Sequence, residues 1–218
     1  MCGGAQAVRP YKSAVPSAIV KVNTLAMHPH DFILLISGTN RPGSSTLLVS
    51  KRIEQLYREA QIRVELFSLE NLPPEMFRPE AYRAKPAGLL AIQEKVLDAA
   101  GLHVVLPEYN GSFPGVLKYF IDLLKFPDSF EHKPVAFVGV TSGSYGAMRA
   151  VEQMQMVFGY RNAHLYPERV FISGVSGKFT PGGTVNDAPI DERLTRQARG
   201  FAQFCGLFSK KGGSTGNA

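Results

Sequence analysis

Three short stretches of this chain combine residue types that suit gripping a polar, flat ligand through peptide and hydroxyl groups. The first is Ser37-Gly38-Thr39-Asn40-Arg41-Pro42-Gly43-Ser44-Ser45-Thr46. Its glycines let backbone N–H groups converge, its hydroxyls and the Arg41 guanidinium are donors, and a helical period follows at once. A helix N-terminus carries partial positive charge and unpaired N–H groups, so the stretch has the chemistry of a phosphate cradle. Gly38 and Gly43 are spaced as in a Walker A loop, but Ser44 stands where that loop needs lysine, and no G-x-G-x-x-G occurs. Nucleotide triphosphate hydrolysis and a dinucleotide-type loop are both disfavoured. A Ser/Thr-rich helix cap with turn glycines is the plain structural alternative.

The second stretch is Pro107-Glu108-Tyr109-Asn110-Gly111-Ser112-Phe113-Pro114-Gly115. Asn110-Gly111 is turn chemistry that leaves peptide N–H groups free, and Tyr109 and Phe113 are suited to border a planar heterocycle. Glu108 has the type of a general base, yet a carboxylate beside Asn-Gly is equally suited to facing solvent or bracing the turn, and its role stays open. The third stretch, Thr141-Ser142-Gly143-Ser144-Tyr145-Gly146, is small and polar with one aromatic, suited to wall the opposite side of the same ligand. Alone, each of the last two is also an ordinary turn.

Groups that perform covalent or metal chemistry are not grouped in this sequence. His28 and His30 precede the first apolar run, His103 sits within one, and His132 and His164 flank others, with no triad or metal-ligand spacing among them. Cys2 and Cys205 lie at opposite ends and form neither a disulfide framework nor a C-x-x-C pair, which fits a reducing cytoplasm. No catalytic side chain and no metal site is expected.

The elements that must position these stretches follow from hydrophobic periodicity. Apolar runs at 32–37, 62–69, 102–106, 135–140 and 163–172 read as five strands. Between them lie helical periods: Val49, Ile53, Leu56, Tyr57 and Ala60; Leu89, Ile92, Val96 and Ala100; Leu117, Phe120, Ile121 and Leu124. Ala147 to Phe158 and Leu194 to Cys205 supply two more. Strict alternation of this kind predicts an α/β fold: a three-layer, doubly wound, five-stranded parallel sheet of strand order 2-1-3-4-5. Ligands of such sheets sit outside the carboxyl ends of the strands, where the three stretches fall. The Pro- and charge-rich segment 70–86 is long for a β-to-α connection and is expected to cover part of the site or a neighbouring subunit.

Residues 1–30 show no period and read as a flexible extension, residues 31–208 as one domain, and residues 209–218 as a flexible tail. At 218 residues, with 44% hydrophobic and 19% charged residues, the chain can bury a core. No apolar run approaches the roughly 20 residues of a membrane span, and the N-terminus lacks the order of a secretion signal. The net charge of +6 raises the question of nucleic acid. All 18 acids lie within 31–208 while five of the 24 bases lie in the end segments, so the body is nearly neutral and offers no basic groove interleaved with aromatics.

The combination Gly38-Thr39-x-Arg41-x-x-Ser44 with Thr46, then Pro107 to Ser112 with Pro114-Gly115-Val116-Leu117-Lys118, then Lys133-Pro134-Val135 and the turn at Gly146–Arg149, resembles the NAD(P)H-dependent FMN reductase family. That family includes flavoenzymes acting on quinones, azo dyes and chromate. The resemblance covers nearly all of 32–175, with Thr39 where Ser is commoner and Thr46 where Asn is common. It implies a flavodoxin-like fold and FMN as cofactor, with NADPH or NADH as hydride donor and a small-molecule electron acceptor. The FMN phosphate would lie on residues 39–46 and its ring along 107–112, with Thr141, Ser142, Gly143, Ser144 and Tyr145 opposite. Hydride would pass through flavin N5, so no protein nucleophile is needed. It also implies a homodimer or homotetramer. A non-catalytic electron carrier of flavodoxin type is the alternative, disfavoured because its T-x-T-G-x-T phosphate loop and acidic character are missing. A flavin-dependent regulator or scaffold using the end segments is a third reading.

Overall fold

The computed structural model describes residue 27, residues 31–180 and residues 184–208. The expected end segments 1–30 and 209–218, with His28, His30 and Cys2, fall outside the described residues except for Met27, which packs against one core cluster.

Five long helices alternate with the strands: β1 (Ile33–Ser37), α1 (Ser45–Glu59), β2 (Val64–Ser68), α2 (Ala87–Asp98), β3 (Gly101–Pro107), α3 (Gly115–Leu123), β4 (Pro134–Val140), α4 (Met148–Tyr160), β5 (His164–Leu165), β6 (Val170–Ile172) and α5 (Ala188–Gly206). The strands are parallel in the order β2-β1-β3-β4-β5, with β6 also on β4. This is the doubly wound order expected from the alternation of periods.

Strand pleating divides the core in two. Leu34 and Ile36 of β1, with Leu102, Val104 and Leu106 of β3, face α2, α3 and α4. Ile33 and Leu35, with Val105, Ala136 and Val138, face α1 and α5. Both faces being covered, β1, β3 and β4 are buried at every position, which is why they read as continuous apolar runs.

The expected fifth strand, 163–172, is instead two short pieces. Pro167 has no N–H to give the ladder. Four residues, Tyr166 to Arg169, stand opposite Ala136 and Phe137 where a regular ladder would have two. The buried Gln197 of α5 fills the gap, its Nε2 donating to the carbonyls of Phe137 and Glu168, each at 2.9 Å.

Segment 70–86 does not cover the carboxyl edge of the sheet at the cleft described below. It forms short 3-10 turns that lie on α3, where Tyr119 donates its hydroxyl to the Met76 carbonyl at 2.9 Å and stacks on Phe77.

Helix α1, whose start carries the first stretch, is fixed from both flanks. Arg52 grips Asp191 of α5 through two nitrogens at 2.7 and 2.8 Å, the two-pronged geometry that suits Arg to carboxylate. Tyr57 shares a 2.7 Å hydrogen bond with Nδ1 of His103, a core residue of β3. Burial pushes the His103 imidazole down to about 3 and the Tyr57 phenol well up, so both are neutral. Each of them is thus a polar core residue.

Candidate functional site

The carboxyl ends of β1, β3 and β4 open onto one cleft of about 390 Å³. Its walls are Arg41 to Thr46 from the first stretch, Pro107, Glu108 and Tyr109 from the second, and Val140, Thr141, Ser142 and Val175. A volume in this range suits a small organic ligand.

The first wall is built by the helix start. Ser44 caps α1, its hydroxyl accepting from the Leu47 N–H at 3.2 Å. The N–H groups of Ser45 and Thr46 precede the first intrahelical donor and point out of the helix end. No acid sits in this first turn, and the exposed Arg41 stands beside it, so no side chain of the turn offsets the partial positive charge of the helix end. Gly43, at φ 63°, makes the left-handed bend that brings the chain into the helix.

Behind this wall the packing is tight. Gly38 donates its N–H to the Val105 carbonyl at 2.7 Å, and a Cβ there would meet that oxygen at 2.9 Å. Thr39 is buried; its Oγ1 accepts from the Arg41 N–H at 3.2 Å and bonds the Tyr109 hydroxyl at 2.9 Å. Gly38, Thr39 and Asn40 therefore shape the cradle from behind or beside it and do not line the cleft. The Thr39 hydroxyl, expected as a phosphate contact, is engaged by the Arg41 N–H and the Tyr109 hydroxyl.

The second wall ends in a closed turn. Tyr109 and Ser112 exchange backbone hydrogen bonds of 2.8 and 3.0 Å, with Asn110 at φ 52° and Gly111 at φ 76°, the signature of a type I′ turn. Pro107, Glu108 and Tyr109 line the cleft; Asn110, Gly111 and Ser112 stand past its lining. Glu108 leaves Oε2 buried with no partner among the described residues. An orphaned acceptor of this kind is costly unless a ligand donor meets it.

The third wall is contributed by Thr141 and Ser142, while Gly143, Ser144 and Tyr145 lie outward and exposed. Its back is packed against β4 and β6. A Cβ on Gly139 would collide with the Gly146 carbonyl oxygen, and one on Gly146 would come within 2.8 Å of Phe171. Val175 belongs to a further turn after β6, zipped onto the third stretch by Gly174 N–H to Gly143 O at 3.0 Å and Val175 N–H to Thr141 O at 3.1 Å. This fourth contributor was legible by the same rule of strand ends, since it too follows a strand, but its single apolar residue gives no chemical signal.

A cleft with helix-terminal N–H groups at one end and an unpaired carboxylate oxygen in its wall, in this strand order, has counterparts among known proteins. Residues 32–177 match the family model of NADPH-dependent FMN reductases. The chain belongs to the NADPH-dependent FMN reductase family. Within it, this FMN reductase family member is 28% identical over 176 residues to a quinone reductase of Escherichia coli strain K12, covering 79% of this chain and 94% of that one. It is 26% identical over 181 residues to an NADH:(hydroxy)cinnamate reductase subunit of Vibrio ruber, covering 81% and 88%. Among solved structures, the flavoenzyme NAD(P)H:(acceptor) oxidoreductase of Paracoccus denitrificans superimposes with a TM-score of 0.69 at 20% identity, over 80% of this chain and 97% of that one. An archaeal flavodoxin does so at 0.51 and 10%, over 80% and 98%, which shows the shared fold.

The FMN of this family fits the residues present. The α1 terminus and Arg41 suit its phosphate, and the orphaned Glu108 oxygen calls for an O–H or N–H donor, which phosphate lacks and the ribityl chain and ring imide possess.

Proposed function

We propose that this chain holds FMN in the cleft at the carboxyl edge and passes reducing equivalents from NADPH or NADH to a quinone, a free flavin or a similar small acceptor. The observation that carries the reading is the pairing, in one cleft, of an acid-free helix terminus with a buried unpaired acceptor on Glu108. Together these match a ligand that is a phosphate monoester at one end and a hydroxyl- and imide-bearing heterocycle at the other.

The chain's own groups have defined tasks. N–H groups of Ser45 and Thr46, the Ser44 hydroxyl and Arg41 hold the phosphate. Glu108 orients the ligand by accepting from it. Tyr109 and the Asn110–Gly111 turn border the ring, where peptide N–H groups stabilise developing negative charge. Thr141, Ser142 and the neighbouring Gly143, Ser144 and Tyr145 form the opposite side. When bound, FMN supplies the hydride chemistry, so the protein is left with binding, orientation and charge stabilisation.

The same reading extends to assembly and location. A mainly apolar groove of about 480 Å³ between α3 and α4 is lined by Phe113, Ile121, Met156, Val157 and Tyr160, together with Lys118, Asp122, Gln153 and Arg161, and Tyr160 is 84% exposed. A second copy covering that groove, in a homodimer or homotetramer, accounts for it. Among the described residues no helix is long and apolar enough to cross a membrane, and Cys205 is a free, buried thiol, which supports a cytoplasmic setting.

Steady-state oxidation of NADPH and NADH, with and without menadione, tests the reading. Acceptor-dependent turnover supports it; bound flavin with negligible turnover would instead identify an electron carrier.

A further inference from the structure

The Tyr109–Ser112 turn is gripped by a side chain 41 residues away. The Ser112 hydroxyl donates to Oε1 of Gln153 at 2.6 Å, and Nε2 of Gln153 donates to the Gly111 carbonyl at 3.5 Å. One amide of α4 thus holds both sides of the Gly111–Ser112 link. With Ser112 N–H already on the Tyr109 carbonyl and Tyr109 N–H on the Ser112 carbonyl, the turn's remaining backbone polar groups are the N–H of Asn110 and the central peptide, Asn110 C=O and Gly111 N–H.

We propose that Gln153 is a positioning residue for the flavin reaction, clamping this turn so that the Asn110–Gly111 peptide keeps its N–H toward the ring. The inference rests on the reading that the turn borders FMN. A turn with the same ends but a rotated central peptide would be type II′, which puts Asn110 in backbone territory that glycine alone adopts readily. The sequence disfavours the rotated form and Gln153 anchors the frame against which rotation would occur.

The anchor is firm because α4 is. Ala150, Val151 and Met154 beside Gln153 are buried in the core. The helix is capped by Ala147, at φ 61°, directly behind the third stretch, whose glycine contacts fix its place. Gln153 therefore sets the second wall of the cleft relative to the helix launched by the third.

The test compares wild type, Gln153→Leu, Gln153→Glu, Ser112→Ala and the double variant Ser112→Ala/Gln153→Leu, each as the full chain reconstituted with FMN. Two quantities are read: the FMN dissociation constant by fluorescence quenching, and the midpoint potential of the bound flavin. Gln153→Leu and Ser112→Ala are each expected to weaken FMN roughly 3- to 10-fold, with the double variant no worse than the weaker single one because the residues act as a unit. Gln153→Glu, which keeps an acceptor for Ser112 but loses the donor to Gly111, falls between. The potential is expected to move, by about 30 mV for each tenfold difference between the losses of oxidised- and reduced-flavin affinity. Unchanged affinity, or weakened affinity at an unmoved potential, overturns the proposal. Should Gln153→Leu not fold, Ser112→Ala decides by the same two readings. Failure of the underlying functional reading looks different, because wild type itself would then bind no FMN.

Discussion

The Thr39 Oγ1 and Tyr109 hydroxyl meet at 2.9 Å, joining the stretch after β1 to the stretch after β3 directly behind the cleft. Thr39 also receives the Arg41 N–H at 3.2 Å, so one buried hydroxyl fixes both the cradle and the ring-side loop. Tyr109→Phe removes only the oxygen of this link. FMN affinity is expected to fall roughly 2- to 10-fold, the worth of one neutral hydrogen bond, as read by fluorescence titration. An unchanged dissociation constant would show that the two loops hold their positions independently.

Arg41 is exposed beside the α1 terminus, so the attraction proposed for it toward the FMN phosphate is one that salt screens. In Arg41→Ala, FMN is expected to bind about tenfold more weakly at low ionic strength, whereas riboflavin, which lacks the phosphate, binds as it does to wild type. Equal losses for both ligands would place Arg41 on the ring instead.

Gly139 lies where β4 passes beneath the third stretch. A Cβ there would strike the Gly146 carbonyl and come within 3.1 Å of both Ala147 and Val151. Gly139→Ala is expected to cost about 2 kcal/mol in urea denaturation, since backbone must shift to relieve the overlap. FMN affinity should fall with it, because the displaced segment carries Thr141 and Ser142.

His103 makes stability depend on acid. Its folded value is pushed to about 3 by burial, against an ordinary 6.5. Above 6.5 it is neutral in both states and its contribution is complete. As pH falls from 6.5 toward 3, only the unfolded chain takes up the proton, and stability drops by at most ~1.4 kcal/mol per pH unit. His103→Gln keeps a polar neighbour for Tyr57 without titrating, so the loss between pH 7 and pH 4.5 is expected to be smaller than in wild type. Identical losses in both proteins would refute this assignment.

Much of the fold was legible because β1, β3 and β4 are covered on both faces and therefore apolar throughout, while α1, α4 and α5 repeat their buried residues at helical spacing. The division of the last strand was less legible: Pro167 is a local signal, but the gap it leaves closes through Gln197, which belongs to a later helix. The seat of segment 70–86 on α3 was not legible, because its aromatic residues match Tyr119, a pairing that does not show in the segment's own pattern. At the site, the types of Arg41 and Ser44 pointed to anion binding, whereas the role of Glu108 stayed open in the sequence and its unpartnered Oε2 emerges only in the fold. The inward turn of the Thr39 hydroxyl did not show in the sequence, since its partner is 70 residues away. Nor did Gln153 signal its hold on Ser112, because a helix-face glutamine is indistinguishable in sequence from a solvated one.

Flavin binding and reduction are read together by titrating the flavin-stripped protein with FMN and then mixing the complex anaerobically with NADPH or NADH. Saturable, stoichiometric quenching of flavin fluorescence is expected, then bleaching of the visible flavin band much faster than for free FMN, reversed on adding menadione. Failure to take up FMN, or a bound flavin that neither nicotinamide bleaches, would show that this chain is not a nicotinamide-dependent flavin reductase.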